Sequence, residues 1–192
     1  MDQPFRFSLT PVDQSTAPDG SKPLLAAAHA AMGTVPNMYA RMAHAPGMLS
    51  TYMDGYRRFR EESGFSPAQQ EVVFLTISHE NGCEYCVAAH SFLGDKASAV
   101  PMPVTDAIRD GGAIPDAALA ALSAFTRHFV TSRGRPSSTE TASFLAAGYS
   151  ETQILYILLA VAVKTISNYS NHMFDTPLDP AFASRAYLVH QA

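Results

Sequence analysis

The stretch SPAQQEVVFLTISHENGCEYCVAAHSFLG, residues 66–94, predicts two helices joined by a short break. Ser66 can cap the first helix and Gln69 can complete a capping box, a combination typical of a helix start. The Asn-Gly pair that ends at Gly82 favours a helix end, and a second helix is expected from about Cys83 to Gly94. The stretch lacks the alternation of apolar and polar residues that marks a strand. It therefore indicates an all-α protein.

Helical patterns continue along most of the chain and predict one all-α domain of about eight helices. The 192 residues, 47% of them apolar, are enough for one hydrophobic core. Three prolines in the polar start of the chain indicate an extended arm over residues 1–20, followed by a helical domain over residues 21–192. A short helix is expected from Thr105, a long one over Ile154–Ser167, and Asp179–His190 is a candidate last helix.

The segment Ile154–Ile166 is apolar on nearly every side of a helix. Such a helix lies either at the centre of a domain or in a subunit interface, so we expect a homo-oligomer. By contrast, the charged run from Arg57 to Glu62 is interpreted as a solvent-facing helix surface.

Charge and composition exclude several classes of function. The net charge is −4 and the chain has no basic run, so neither nucleic acid nor a membrane surface is an expected partner. The N-terminus has no signal-peptide pattern, and the apolar run Ile154–Val163 is shorter than the roughly 18 residues that suggest a membrane span. We therefore expect a cytoplasmic protein. In a reducing cytosol, two cysteines three residues apart favour redox chemistry or metal binding.

The cysteine pair has the spacing of a redox-active dithiol. Cys83 and Cys86 are i and i+3 on the predicted helix, so their α-carbons would be about 5 Å apart, within the range for a disulfide. The break at Gly82 places both in the first turn, where free amides and the helix dipole favour a thiolate. A lowered thiol pKa is what a nucleophilic cysteine needs near neutral pH.

A proton relay is predicted beside the dithiol. His90 follows Cys86 by four residues and so lies on the same face of the helix, one turn along. Glu71 reaches the same point if the two helices pack as an antiparallel hairpin. A carboxylate next to an imidazole raises its basicity and fixes its tautomer.

The pattern Glu-x11-Cys-x2-Cys-x3-His, formed by Glu71, Cys83, Cys86 and His90, resembles the signature of the alkylhydroperoxidase D branch of the carboxymuconolactone decarboxylase-like superfamily. The resemblance covers about residues 20–180. It implies an AhpD-like helical bundle, assembled as trimers or hexamers, that reduces organic hydroperoxides without a metal or organic cofactor. It also implies an external dithiol reductant, such as a lipoyl-type dithiol.

The same resemblance implies a role for each signature residue. Cys86 would attack the hydroperoxide, Cys83 would resolve the sulfenic acid to a disulfide, and Glu71 and His90 would relay protons. The helix-dipole argument alone favours Cys83 as nucleophile, because it lies nearer the helix start.

One position departs from the characterised peroxidase. That enzyme has a histidine immediately before the second cysteine, where this chain has Tyr85. A phenol can donate a hydrogen bond but is a poor base near neutral pH. We expect Tyr85 and His79 to be the substrate-binding residues.

Three other functions stay open. The first is a thiol–disulfide oxidoreductase or redox sensor with little peroxidase turnover. The second is a cofactor-free decarboxylase-like enzyme of the same superfamily, which would need no cysteine pair. The third is a non-catalytic or zinc-binding protein. A straight helix spreads His79, Cys83, Cys86 and His90 over about 16 Å, too far for one tetrahedral zinc ion, so no metal site is expected.

Overall fold

A computed structural model describes residues 4–188. In this range the chain forms nine α-helices and one short 3-10 helix, with no β-strand. The helices are α1 (Lys22–Met32), α2 (Asn37–Met42), α3 (Pro46–Glu62), α4 (Pro67–Glu80), α5 (Glu84–Lys96), α6 (Met102–Asp110), α7 (Ala117–Thr131), α8 (Ser138–Ala146) and α9 (Glu151–Phe174). The all-α prediction is confirmed, with nine helices in place of about eight.

The helix starts follow from local capping. Ser66, Ser137 and Ser150 each accept a side-chain hydrogen bond from the backbone N–H three residues ahead, and the Gln or Glu side chain at that position accepts one from the backbone N–H of the serine. Each capping box satisfies two backbone N–H groups that a helix start otherwise leaves unpaired.

Three predictions about individual helices were wrong. The last long helix does not stop at Ser167 but runs to Phe174, because Asn168 and Asn171 are polar residues of its buried face. The tail forms the 3-10 helix Pro180–Arg185 instead of an α-helix, and the last residues of that prediction, including His190, lie outside the described range. The short helix predicted from Thr105 begins three residues earlier, at Met102.

The buried side chains form two clusters. The larger cluster is built around α4, with Phe59, Phe74 and Phe144 among its largest members. The smaller cluster contains both cysteines, packed with Met38 and Tyr52. The dithiol therefore lies inside an apolar core and not at the surface.

Helix α9 packs closely on α3 at a glycine. A Cβ atom at Gly55 would come within 2.8 Å of the Val163 side chain. A real Cβ atom essentially never approaches another atom so closely, so the absence of a side chain permits this helix crossing. The crossing sets the position of Lys164, the next residue along α9.

Residues 4–13 form no helix and lie against the C-terminal end of α9. The Phe7 backbone N–H donates to the Met173 carbonyl at 2.9 Å, and the rings of Phe7 and Phe174 are 4.8 Å apart. In the described range no single helix is long and apolar enough to cross a bilayer; α8 and α9 reach that length together, across a bend of 111°.

Candidate active site

The cysteine pair lies at the junction between α4 and α5, at the start of α5. Gly82 adopts a left-handed conformation with φ of 65°, which glycine adopts without strain and which turns the chain sharply between the two helices. Cys83 is the N-cap residue of α5 and Cys86 lies in its first turn. Both are buried free thiols, and they are in hydrogen-bonding contact with each other.

One face of α9 covers the two sulfur atoms. The Asn171 amide Nδ2 lies 3.3 Å from Cys86 Sγ and 3.8 Å from Cys83 Sγ. Ser167 Oγ lies 4.0 Å from Cys86 Sγ, and the positive charge of Lys164 lowers the pKa of Cys86. These three residues are spaced three and four apart, so they project from the same side of the helix. Together they surround Cys86 with donors suited to a thiolate.

The imidazole of His90 joins the carboxylate of α4 to the lysine of α9. Glu71 Oε2 lies 2.8 Å from His90 Nδ1, and Lys164 Nζ lies 2.9 Å from His90 Nε2. An ammonium group donates and cannot accept, so Nε2 accepts from the lysine and Nδ1 carries the proton donated to Glu71. The hairpin predicted for α4 and α5 thus brings Glu71 and His90 into contact.

The other oxygen of Glu71 accepts a hydrogen bond from Arg60. The guanidinium of Arg60 lies over the rings of Tyr56 and Phe74, at 4.8 and 4.9 Å from their centroids. The interpretation of Arg57–Glu62 as a solvent-facing surface is therefore wrong for Arg60, which points inward. Arginine accepts such a site because its weakly hydrated plane stacks on aromatic rings.

The pKa directions distinguish the two cysteines. Burial by itself raises the pKa of Cys86, but the hydrogen bond from Cys83 and the positive charge of Lys164 outweigh it and hold that pKa well below its usual range. The hydrogen bond with Cys86, together with burial, raises the pKa of Cys83. Cys86 is therefore the thiol that ionises more readily. The helix-dipole argument alone favours Cys83, which lies nearer the helix start.

The pKa values of both relay residues, His90 and Glu71, are lowered. Burial and the charge of Lys164 lower the pKa of His90, against the opposing effect of Glu71. Burial by itself raises the pKa of Glu71, but its hydrogen bonds with His90 and Arg60 and the charge of Arg60 outweigh this and lower it. Near neutral pH the imidazole is thus neutral and the carboxylate is ionised.

A small aromatic cavity of about 120 Å³ adjoins Cys86. His90 and Lys164 line it on the side of the relay. Its remaining wall is largely aromatic and apolar, and includes Tyr39, Tyr52, Tyr56, Tyr85 and Phe182. A molecule in this cavity would meet the Cys86 sulfur, the relay and a ring-lined wall at once.

Tyr85 is held by the C-terminal segment. Its hydroxyl donates to Asp179, and its ring meets the ring of Phe182 edge-on at 6.2 Å. Burial, followed by the hydrogen bond to the carboxylate, raises the pKa of Tyr85, so the phenol is a donor and not a base. Asp179 also accepts from the backbone N–H of Asn37, at 3.1 Å, and so joins three parts of the chain.

The structure does not bring His79 to the cysteines. Its Nδ1 lies 3.3 Å from Glu80 Oε1 and its ring is 6.3 Å from that of Tyr187. Lys164, in contrast, was missed as a site residue. Its signal in the sequence was a single charge at the end of an apolar run, where a fully buried lysine needs specific partners.

The family comparison covers the segment that carries the cysteine pair. The model of the carboxymuconolactone decarboxylase family matches residues 46–127, which include Glu71, both cysteines and His90. No curated protein sequence matches the chain significantly.

Several solved structures share the fold. An uncharacterised peroxidase-related protein from Ralstonia eutropha JMP134, described as an alkylhydroperoxidase AhpD core, superposes with a TM-score of 0.78 at 19% identity, over 94% of this chain and 96% of that one. A peroxidase-related protein from Silicibacter sp. TM1040 gives 0.76 at 18% identity, over 96% of both chains. The debrominase Bmp8 gives 0.74 at 18% identity, over 94% of this chain and 96% of its own.

The family model thus matches the segment that carries the cysteine pair, and the fold as a whole is similar to the all-helical AhpD-like fold of these solved structures.

Proposed function

We propose that this protein is a thiol-dependent peroxidase that reduces organic hydroperoxides with the dithiol of Cys83 and Cys86. The observation that carries the proposal is the surroundings of Cys86: a buried thiol next to Lys164, Asn171 and a second thiol, facing a small cavity. These groups stabilise a thiolate, and the thiolate is the nucleophile in peroxide reduction.

The oxidation step starts at Cys86. Its thiolate attacks the terminal oxygen of the hydroperoxide, the S–O bond forms, and the O–O bond breaks. The departing alkoxide takes a proton from Lys164, which is held in place by His90 and Glu71 and regains a proton from solvent. The alcohol leaves and Cys86 remains as a sulfenic acid.

The two cysteines then form a disulfide. Cys83 loses its proton and attacks the Cys86 sulfur, the S–S bond forms, and hydroxide departs and is protonated to water. The two electrons that reduced the peroxide have come from the two cysteines. An external dithiol, for which a lipoyl-type compound is the candidate, returns them by thiol–disulfide exchange. Such a cycle needs a reducing compartment, so we place the protein in the cytoplasm.

The proposal is tested by organic hydroperoxide consumption with dihydrolipoamide as donor. Wild-type protein should turn over, and Cys86→Ser and Cys83→Ser should each lose turnover. Sulfenic acid should be trapped in Cys83→Ser and not in Cys86→Ser. Thr139→Ala, on exposed α8, is the control and should match wild type. If both cysteine variants keep full turnover, the peroxidase proposal is wrong.

A second candidate is thiol-dependent dehalogenation of a small aromatic ring. The aromatic wall around Cys86 favours it, and the debrominase Bmp8, solved as a variant in complex with 2,3,4-tribromopyrrole, shares the fold. Here the thiolate would take bromine from the ring, the ring carbon would gain a proton, and Cys83 would displace bromide to form the disulfide. Release of bromide from a brominated pyrrole, without turnover of hydroperoxide, would favour this candidate.

We also propose that the protein is a homo-oligomer, a trimer or hexamer. The outer face of α9 exposes Leu155, Leu158, Tyr169 and Met173, with exposed fractions of 39–67%. An apolar cavity of about 530 Å³ continues this face and is lined by Phe7 and Met48 among others. A large apolar surface of this kind is typical of an interface.

A further inference from the structure

The two sulfur atoms open to two different cavities. Cys86 lines the aromatic cavity of about 120 Å³, whereas Cys83 lines a separate cavity of about 340 Å³. Among the described residues, Tyr85 is the one side chain that belongs to both walls. A reactant in one cavity therefore meets one sulfur and not the other.

The cavity at Cys83 is polar. Its wall includes the charged residues Arg6, Glu84 and Asp175. Three further wall residues, Asn171, His172 and Thr176, have polar side chains. A wall of charged and polar side chains suits a polar ligand better than an apolar one. An organic hydroperoxide fits the aromatic cavity better.

The two sulfurs also differ as leaving groups. When a thiolate attacks a disulfide, the sulfur that is not attacked departs as a thiolate, and the one with the lower thiol pKa departs more readily. Lys164 and Asn171 stabilise that thiolate at Cys86, and the pKa of Cys86 lies below that of Cys83. Attack on Cys83 is thus favoured because Cys86 is the better leaving group, and also because Cys83 lines the polar cavity.

We propose that the thiol reductant enters the polar cavity and attacks Cys83, while the oxidising substrate reaches Cys86 from the aromatic cavity. The inference rests on the dithiol cycle proposed above. The reductant sulfur bonds to Cys83 Sγ, the Cys83–Cys86 bond breaks, and its electron pair leaves on Cys86 as a thiolate. The second thiol of the reductant then attacks the mixed disulfide, forms its own disulfide, and releases Cys83, which takes up a proton.

The test locates the mixed disulfide. Full-length protein is first oxidised with diamide, so that the disulfide forms whether or not the protein reduces peroxides. It is then treated briefly with glutathione, a polar monothiol, and quenched with N-ethylmaleimide. Fragment mass spectra of the peptide containing both cysteines should place glutathione on Cys83 and maleimide on Cys86. Glutathione on Cys86, an even distribution, or no adduct on Cys83 would overturn the proposal.

Blocking each cavity gives a second, kinetic test. Thr176→Trp fills the cavity at Cys83 and should slow reduction of the diamide-formed disulfide by about tenfold, because exchange depends on access to the attacked sulfur. Ala89→Leu fills the aromatic cavity and should slow peroxide oxidation of the dithiol instead. Thr139→Trp, on the exposed surface of α8, is the control for both steps.

The two proposals fail differently. If no variant or wild-type protein reacts with peroxide but Thr176→Trp still slows disulfide reduction, the peroxidase proposal fails and the access proposal stands. If Ala89→Leu slows reduction and Thr176→Trp does not, the access proposal is wrong. Thermal unfolding of each variant shows whether the fold is kept.

Discussion

Lys164 Nζ lies 2.9 Å from His90 Nε2, and this contact determines which nitrogen of the imidazole carries the proton. Because the ammonium donates to Nε2, the ring proton is on Nδ1, where Glu71 accepts it. The positive charge of the same lysine lowers the pKa of Cys86. Lys164 therefore connects the relay to the thiol, although α9 lies far from the Cys-x2-Cys motif in the sequence.

Replacing this lysine should raise the pKa of Cys86. In Lys164→Met the thiolate loses its positive neighbour, so alkylation by iodoacetamide near pH 7 should slow by about tenfold or more. The pH at which alkylation becomes fast should move upward. Lys96→Met, which removes an exposed lysine of α5, is the matched control. An unchanged pH profile in Lys164→Met would show that the lysine does not stabilise the thiolate.

Glu71 should contribute strongly to stability. In Glu71→Gln the charge of Arg60 stays in place without its partner, and the side chains of the pair are 21% and 2% exposed. Removing one partner of a buried ion pair costs about 3–5 kcal/mol of unfolding free energy. Urea unfolding measures this. Glu61→Gln breaks the exposed pair with Arg57 and should cost about 1 kcal/mol or less. Equal losses in the two variants would contradict the prediction.

Stability should fall on acidification in two stages. The lowered pKa of His90 means that the unfolded chain takes up a proton before the folded one, so stability is lost as the pH falls below the ordinary histidine value of 6.5. The lowered pKa of Glu71 adds a contribution that is complete above its ordinary value of 4.5 and is lost as the pH falls through the folded pKa. Unfolding free energies of wild type and Glu71→Gln across this range test the second stage, which should be smaller in the variant.

The oligomer proposal makes a prediction about α9. Leu158→Glu places a charge at the centre of its exposed apolar face and should dissociate the assembly to monomers. Met102→Glu is the matched control, because Met102 is similarly exposed but lies on α6. Sedimentation velocity at micromolar concentration distinguishes the two. A wild-type monomer, or an intact oligomer in Leu158→Glu, would contradict the proposed interface.

Tyr85 should hold the C-terminal segment in place. Tyr85→Phe removes the hydrogen bond to Asp179 and should cost about 1 kcal/mol, the typical net value of such a bond. Hydrogen exchange should become faster over residues 176–187, with little change in α7. Tyr149→Phe, which removes a tyrosine hydrogen bond to the Ala118 carbonyl, is the control. Exchange that is unchanged in the C-terminal segment would argue against this role.

The local part of the site was predictable from the sequence. Cys83, Cys86 and His90 are fixed by helix spacing, and the capping box at Ser66 locates the start of the helix that carries Glu71. The partners from α9 were not predictable, because helix spacing says nothing about which distant helix covers the motif. In an apolar run such as that of α9, the sequence also does not indicate which face of the helix is buried.

The burial of Arg60 was also not predictable from the sequence. It stands among charged residues that do face solvent, such as Arg57 and Arg58, and no spacing rule separates it from them. Its burial depends on Glu71 and two aromatic rings supplied by other parts of the fold. Tyr39 of α2, outside the Cys-x2-Cys motif, likewise lines the cavity at Cys86.

The buried line of Arg60, Glu71, Lys164 and Cys86 carries two positive and two negative charges while Cys86 is a thiolate. Forming the disulfide removes one negative charge and leaves the Lys164 ammonium without its counter-ion. Burying an unpaired charge is unfavourable, so the reduced form is stabilised relative to the oxidised one. A disulfide is a stronger oxidant when its reduced dithiol form is stabilised. Because Lys164 stabilises the Cys86 thiolate, it raises the reduction potential of the cysteine pair.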